Sequence, residues 1–221
     1  MDEVGRGSIA GPLLVVAAMF EVASWEWDGN ANGFGPSFWT PKTPCPVAGV
    51  KDSKMFSSRA RREAVSTAIL AEPTLKGHGR GVVSSVDISG RGMGWALRVA
   101  FLRALKSLPT VPDLVLIDGE VPARGWEGKQ FCRPKADVHW WPVSAASVLA
   151  KVERDNWMVA LDKIYPGYGW DSNSGYGTPS HSAAIQAKGT TPIHRLGFIH
   201  VGAKKADDGS ATDGTALEPA S

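Results

Sequence analysis

The chain lacks several features that define whole classes of protein. None of its 221 residues lies in an apolar run of 18 or more, so no conventional transmembrane helix is expected. Only two cysteines occur, too few for a disulfide scaffold or a four-cysteine zinc site, which predicts a reducing, cytoplasmic location. The five histidines show no zinc spacing. Because the chain opens MDEVGRG, with acids where a basic region should be, we expect no secretory signal.

Charge is nearly balanced overall but unevenly distributed. The chain has 24 Lys and Arg against 22 Asp and Glu, a net charge of +2. Residues 206–221 contain four acids and no basic residue, so the preceding part is more basic than the whole. A basic body is consistent with a polyanionic partner. Since residues 203–221 contain Leu217 as their one large apolar residue, we predict a disordered acidic tail.

The remaining chain alternates between strand-like and helix-like segments. Residues 11–22 form an apolar, β-branched run typical of a buried strand, and Leu114–Asp118 is a short apolar strand that ends on an acid. Helical spacing of apolar residues, with caps and breakers, predicts further elements, which we place as helices at 59–70, 95–108, 144–164 and 180–187 and strands at 81–87 and 130–142. This alternation predicts an α/β fold.

A long segment, 23–46, breaks this pattern. It is rich in Gly, Pro, Asn and Trp and has no period, so we predict a surface loop. Its tryptophans Trp25, Trp27 and Trp39 could pack over the core edge or stack on a ligand, and packing is favoured because aromatic rings have large areas to bury.

Four acids occupy unusual positions. Asp2 and Glu3 are adjacent, Asp118 ends an apolar strand, and Asp155 lies in a helix rich in buried-type residues. Each alone could be a loop cap or a solvated side chain. Together they point to a divalent-metal site, because buried carboxylates are costly and Mg²⁺ and Mn²⁺ prefer oxygen ligands.

Three further motifs could contact a phosphate or a sugar. The Gly5-Arg6-Gly7 turn exposes its backbone, although a simple hairpin turn would also explain its glycines. Asp52-Ser53-Lys54 offers a hydroxyl beside an ammonium group, and an ordinary helix-entry loop is the alternative. Tyr176, between two glycines, could stack on a sugar or base.

Five of the motifs occur in a fixed order along the chain. They are DEVGRG at 2–7, DSK at 52–54, LIDG at 116–119, SAASVLAKVERD at 144–155, and YPGYGW with GYGT and a histidine at 165–181. TPIHR at 191–195 and Phe198 extend the pattern. Together these motifs resemble bacterial ribonuclease HII, the type 2 ribonuclease H, over about residues 2–200.

The resemblance implies an α/β ribonuclease H-like fold: a central five-stranded mixed sheet flanked by helices, with a helical C-terminal extension, in one catalytic domain over residues 1–202. It implies a monomeric endonuclease without membrane partners. That enzyme would hydrolyse the RNA strand of RNA–DNA hybrids and nick 5′ of single ribonucleotides embedded in duplex DNA. Two divalent ions, Mg²⁺ or Mn²⁺, would support hydrolysis to 5′-phosphate and 3′-hydroxyl ends.

The resemblance also implies residue roles. Asp2, Glu3, Asp118 and Asp155 would be the catalytic, metal-binding carboxylates. Gly5, Arg6 and Gly7 would read the ribose 2′-hydroxyl, the group that distinguishes RNA from DNA, and Tyr176 would stack on the following deoxyribose. Ser53, Lys54 and Lys151 would hold backbone phosphates.

Two alternatives stay open. An enzyme of the same fold could cleave another nucleic acid, as junction resolvases and transposases do, although the Gly5–Gly7 turn and Tyr176 argue against it. Because only Met1 precedes Asp2, where the family has several residues, the chain could also bind hybrids without cleaving them. A type 3 ribonuclease H would need an additional N-terminal domain, for which the chain has no room.

Overall fold

The computed structural model describes residues 1–22, 25–27, 39–41, 45–50, 56 and 58–199. Ser53 and Lys54, most of the predicted 23–46 loop and the predicted tail at 203–221 lie outside these residues. In chain order the elements are β1 (Asp2–Val4), β2 (Leu13–Phe20), β3 (Trp25–Trp27), β4 (Trp39–Pro41), α1 (Arg59–Leu70), β5 (Leu75–Val83), α2 (Ser85–Arg91), α3 (Met93–Lys106), β6 (Val115–Asp118), β7 (Gln130–Arg133), α4 (Ala136–His139), α5 (Trp141–Ile164), α6 (Trp170–Asn173), α7 (Pro179–Lys188) and a 3₁₀ turn at Leu196–Phe198.

The strands form small sheets instead of the single five-stranded sheet predicted. In the described residues, an antiparallel sheet has the order β1-β2-β5, β6 and β7 form a parallel pair, and β3 and β4 form a hairpin. Met1 connects the first two sheets: its N–H donates to the Leu116 carbonyl (2.6 Å), and its carbonyl accepts from the Asp118 N–H (3.1 Å). A cavity of about 530 Å³ opens beside Met1, between the end of β2 and residues 114–116.

β2 is the buried centre of the fold, as its apolar sequence predicts. Alternate residues of a strand point to opposite faces of the sheet. Leu13, Val15 and Ala17 therefore pack with α3, whereas Leu14 and Val16 pack with α1 and α5. The strand is thus covered by helices on both faces, which explains why it shows no polar alternation.

β5 and α3 approach each other closely through glycine. A Cβ atom added to Gly81 would lie 1.8 Å from the Ala100 carbonyl oxygen of α3. Only a residue without a side chain allows this contact between helix and sheet. The close packing fixes α3 on the face of the sheet opposite α5.

Several element boundaries differ from the sequence predictions. The helix at 59–70 is confirmed, and the Ser58 side chain caps it by accepting from the Arg61 N–H (3.2 Å). The strand predicted at 81–87 ends at Val83, because Ser84 caps α2. The strand predicted at 130–142 ends at Arg133, and two helices follow it, α4 and α5, the latter with Pro142 in its first turn.

The C-terminal helices pack against the segment that follows β1. Met158 of α5, Tyr168, Trp170 of α6 and Ile185 of α7 form one buried cluster with Ala10. This cluster ties the C-terminal part of the described chain to the Gly5–Gly7 region. No helix within the described residues is long and apolar enough to cross a membrane.

Candidate active site

Three of the four predicted carboxylates come together where β1 and β6 meet. Asp2 and Glu3 lie on β1, and Asp118 ends the neighbouring strand β6. The hydrogen bond from the Asp118 N–H to the Met1 carbonyl holds these two strands side by side. The two bonds of Met1 to β6 thus bring the acids together, although more than 110 residues separate them in sequence.

The electrostatics of these acids reflect their burial and closeness. Asp2 is buried, and burial raises the pKa of its carboxyl to about 7. A hydrogen bond from Ser147 opposes this shift, while the charges of Glu3 and Asp118 add to it. The pKa of Glu3 is also raised, first by burial, with Arg6 opposing and Asp118 adding. A concentration of negative charge of this kind favours a bound cation.

Asp137 is an additional buried carboxylate beside this group that sequence reasoning missed. The N–H of the preceding residue, Ala136, donates to the Asp118 carboxylate (2.7 Å). Asp137 is 8% exposed, and its carbonyl accepts a hydrogen bond from the Ser144 hydroxyl. Ser144 and Ser147 lie one turn apart on α5, so the same helix face holds the Asp137 backbone and the Asp2 side chain.

The backbone just before Asp137 also has an unusual conformation. Lys135, just before α4, has φ +59°, a left-handed conformation that is uncommon for a residue other than glycine and is often found at functional sites. The available sequence signal was the acid in Lys135-Ala136-Asp137, directly after a strand. Our prediction of a strand through 142 concealed it.

Asp155, the fourth predicted ligand, is not joined to the other three. Its carboxylate accepts from Lys151 (2.7 Å), Ser174 (2.8 Å) and Arg62 (3.2 Å). It follows Ser147 by two helical turns, which places it roughly 12 Å further along the axis of α5. These partners connect Asp155 to the loop before Tyr176.

The donor chemistry of the site fits a divalent metal. Asp2, Glu3, Asp118 and Asp137 offer only carboxylate oxygens, the ligands that Mg²⁺ and Mn²⁺ prefer. No described lysine or arginine forms an ion pair with Asp2. As the described side chains are arranged, no three His, Cys, Asp or Glu groups surround one point closely enough to hold an ion. Binding would therefore require some of these carboxylates to turn inward.

The Gly5-Arg6-Gly7 turn follows Glu3 directly. Gly5 has φ +85°, and a Cβ at this position would lie 2.2 Å from the buried Arg154 Nε, so the site requires glycine. Nothing lies within 4 Å of the corresponding position at Gly7, where a ligand could approach. Arg6 is exposed and lies 3.6 Å from the Glu3 carboxylate. The turn is therefore closely packed at Gly5 and open to solvent at Gly7.

Tyr176 lies beside this turn. Ser8 and Tyr176 form an antiparallel bridge, and the Gly175 carbonyl accepts from the N–H groups of Ile9 (2.9 Å) and Ala10 (3.1 Å). The Tyr176 side chain is 37% exposed. The Lys151 ammonium lies 5.9 Å from the centre of its ring, so a predicted phosphate-binding lysine is also here.

Two buried histidines form a hydrogen-bond network with the backbone of Tyr176. His181 Nδ1 donates to the Tyr176 carbonyl (2.8 Å), so its Nε2 accepts from Trp170 Nε1 (2.9 Å) and His194 Nε2 (3.2 Å). His194 Nδ1 in turn accepts from the Thr191 N–H (2.8 Å). Both rings are therefore neutral. Burial lowers the pKa of both, and with the added effect of His181 it lowers that of His194 to about 4.

Comparison with known proteins agrees with this architecture. Residues 41–201 match the family model described as Ribonuclease HII. A ribonuclease HII from Synechococcus sp. (strain RCC307) is 35% identical over 97% of this chain and 96% of its own length. One from Rhodospirillum rubrum is 37% identical over 91% of this chain and 83% of its own.

Solved structures show the same fold. The ribonuclease H2 of Pyrococcus horikoshii OT3 superposes with a TM-score of 0.66 at 25% identity, covering 89% of this chain and 90% of its own. A Bst ribonuclease HIII in complex with Mn²⁺ gives a TM-score of 0.54 at 21% identity, covering 85% of this chain and 61% of its own. The fold is therefore ribonuclease H-like. On this evidence the chain belongs to the ribonuclease HII family, whose members are metal-dependent endoribonucleases that act on RNA–DNA hybrids.

Proposed function

We propose that this protein, acting as a monomer, nicks duplex DNA on the 5′ side of a single embedded ribonucleotide as well as cleaving longer RNA–DNA hybrids. The observation that carries this proposal is the bridge between Ser8 and Tyr176. It brings a turn with an open backbone beside an exposed aromatic ring, directly after the acids of β1. Such a pair can contact two adjacent sugars at the same time, one through the backbone of the turn and one through the aromatic ring.

The hydrolytic centre is proposed to consist of Asp2, Glu3, Asp118 and Asp137, holding two divalent ions. Asp137 replaces Asp155 in this set, because Asp137 adjoins the group that Asp118 anchors while Asp155 is bound by Lys151, Ser174 and Arg62. When bound, Mg²⁺ or Mn²⁺ lowers the pKa of water and stabilises the leaving oxygen in phosphodiester hydrolysis. The expected products carry 5′-phosphate and 3′-hydroxyl ends.

Recognition is proposed to divide between the turn and Tyr176. Gly5, Arg6 and Gly7 would bind the ribose 2′-hydroxyl through their backbone, and the Tyr176 ring would stack on the next deoxyribose. Lys151, near that ring, would contact a phosphate. Ser53 and Lys54, which lie outside the described residues, are proposed to do the same.

The test uses a labelled DNA duplex containing one ribonucleotide, incubated with Mg²⁺, Mn²⁺ or EDTA. The cut position is read on a sequencing gel beside an all-DNA duplex. A metal-dependent nick 5′ of the ribonucleotide, with the all-DNA duplex intact, supports the proposal. Cleavage of a long hybrid without the single-ribonucleotide nick would refute it.

An Asp118→Asn variant separates chemistry from binding. Since Asp118 anchors the carboxylate group, we expect the variant to lose turnover and still bind a hybrid. Measurable cleavage by this variant would show that the carboxylate assignment is wrong. A wild-type protein that binds hybrids and cleaves none under any metal would instead support the hybrid-binding alternative.

A further inference from the structure

Two fully buried arginines lie beneath the Gly5–Gly7 turn, and both donate mainly to backbone carbonyls. Arg195 donates to the carbonyls of Gly5 (2.6 Å), Ser8 (2.9 Å), Gly11 (2.9 Å) and Arg6 (3.3 Å). Arg154 donates to those of Ser174 (2.7 Å), Pro12 (3.0 Å) and Ala10 (3.1 Å). Both are 0% exposed, and neither forms an ion pair with a described acid.

Burying these two arginines lowers the stability of the fold, which suggests a functional reason for their positions. A buried charge without a counter-ion lowers stability, and the hydrogen bonds to carbonyls offset only part of that cost. The Nη2 atom of Arg195 and the hydroxyl of Ser8, both buried, have no hydrogen-bond partner in the described structure. A well-packed apolar core would avoid both penalties. The positions of the arginines are therefore better explained by an effect on the backbone conformation of the Gly5–Gly7 turn.

Peptide geometry shows what Arg195 does. In a trans peptide the C=O and the following N–H point in opposite directions. The carbonyls of Gly5 and Arg6 point inward to Arg195, so the N–H groups of Arg6 and Gly7 point outward. Neither N–H donates to another described backbone group in a turn or loop, and the space beside Gly7 is open.

We propose that Arg195 is a positioning residue for ribonucleotide recognition: by holding the Gly5 and Arg6 carbonyls inward, it keeps two peptide N–H groups presented to the nucleic acid. This inference rests on the proposed function and deepens it. Arg195 itself touches no substrate. Lysine, a single ammonium group, cannot hold four carbonyls in the fixed geometry of a guanidinium.

The test compares binding of a single-ribonucleotide duplex with binding of the same all-DNA duplex, by fluorescence anisotropy in EDTA. For Arg195→Lys we expect the preference for the ribonucleotide to fall by about tenfold while all-DNA binding changes little. Val83→Ala, in the core cluster shared by β2 and α3, is a control for lost stability. Arg98→Lys, exposed on α3, is a control for the substitution itself.

Three outcomes would overturn the inference. One is an Arg195→Lys protein that folds and keeps the wild-type preference. A second is a variant that loses affinity for both duplexes equally. A third is a variant whose preference for the ribonucleotide falls no more than that of Val83→Ala. If Arg195→Lys does not fold, amide hydrogen exchange of the wild type decides: the Arg6 and Gly7 amides should gain protection with the ribonucleotide duplex only. A wild type without any ribonucleotide preference would instead refute the proposed function.

Discussion

The backbone N–H of Ala136 donates to the Asp118 carboxylate at 2.7 Å and so fixes the start of α4 against the end of β6. Because Asp137 follows Ala136 directly, this one bond brings another buried acid to the carboxylate group of β1 and β6. It also explains why the site draws on acids that are far apart in sequence. This hydrogen bond and the contact of Met1 with β6 together define the candidate metal site.

Substituting Asp137 and Asp155 separately will distinguish their roles. We expect Asp137→Asn to abolish metal-dependent cleavage, because it removes a proposed metal ligand. Asp155→Asn should reduce cleavage by about 10- to 100-fold, as expected for a residue that orients others, because it loosens the Ser174 loop before Tyr176. Steady-state kinetics on a hybrid with Mn²⁺ measures both. The reverse order of effects would restore Asp155 as the metal ligand.

Substitution of Tyr176 tests whether its ring is used. Tyr176→Ala should lose more activity on a single embedded ribonucleotide than on a long hybrid, because only the former depends on one RNA–DNA junction. Tyr176→Phe keeps the stacking ring and should stay close to wild type on both. Rates on the two substrates, measured in parallel, provide the comparison. Equal losses on both substrates in Tyr176→Ala would contradict a junction-testing role.

Alanine substitutions at Gly5 and Gly7 are expected to affect the stability of the protein differently. Gly5→Ala should destabilise the fold by about 1–3 kcal/mol or more, because alanine disfavours φ +85° and its Cβ would collide with Arg154. Gly7→Ala should leave the free energy of unfolding nearly unchanged, since its Cβ would meet nothing within 4 Å. Urea unfolding gives both values. If Gly7→Ala keeps its stability yet binds ribonucleotide duplex as well as wild type, the open surface at Gly7 is not used for recognition.

Acid should destabilise the protein through His194. Its pKa lies near 4 in the folded state, below the ordinary value of 6.5, so the unfolded state binds a proton that the folded state does not. Stability from this group is complete above pH 6.5 and falls as the pH drops toward 4, by about 1.4 kcal/mol per unit and about 3 kcal/mol in total.

Two histidine variants isolate this effect. His194→Gln should show a smaller loss of stability between pH 6.5 and 4 than wild type, although it will be less stable at neutral pH for lack of its bond from Thr191. His78→Gln, at an exposed histidine of β5, is the control for the substitution itself. Thermal unfolding across this pH range is the measurement. Parallel curves for wild type and His194→Gln would rule out the assignment.

Much of the fold and of the recognition region follows from the sequence. The apolar run of β2 and the helical spacing of apolar residues in α3 each identify their element, because local propensity and burial agree there. Asp2 and Glu3 could be identified as candidates because they are adjacent acids, and Asp118 because it ends an apolar strand. The association of Gly5–Gly7 with Tyr176 was also anticipated, from the resemblance to the family.

Tertiary structure decided the rest, because those features depend on contacts between distant residues. The sequence favoured Asp155 over Asp137 because Asp155 lies in a helix rich in buried-type residues. In the structure, however, Lys151, Ser174 and Arg62 bind Asp155, while Ala136 and Ser144 place Asp137 by Asp118. The junction of the two sheets at Met1 depends on its hydrogen bonds to Leu116 and Asp118, more than 110 residues away. The burial of Arg195 beneath the Gly5–Gly7 turn likewise joins chain segments some 190 residues apart. No local pattern encodes such pairings, since each is set by packing of the whole domain.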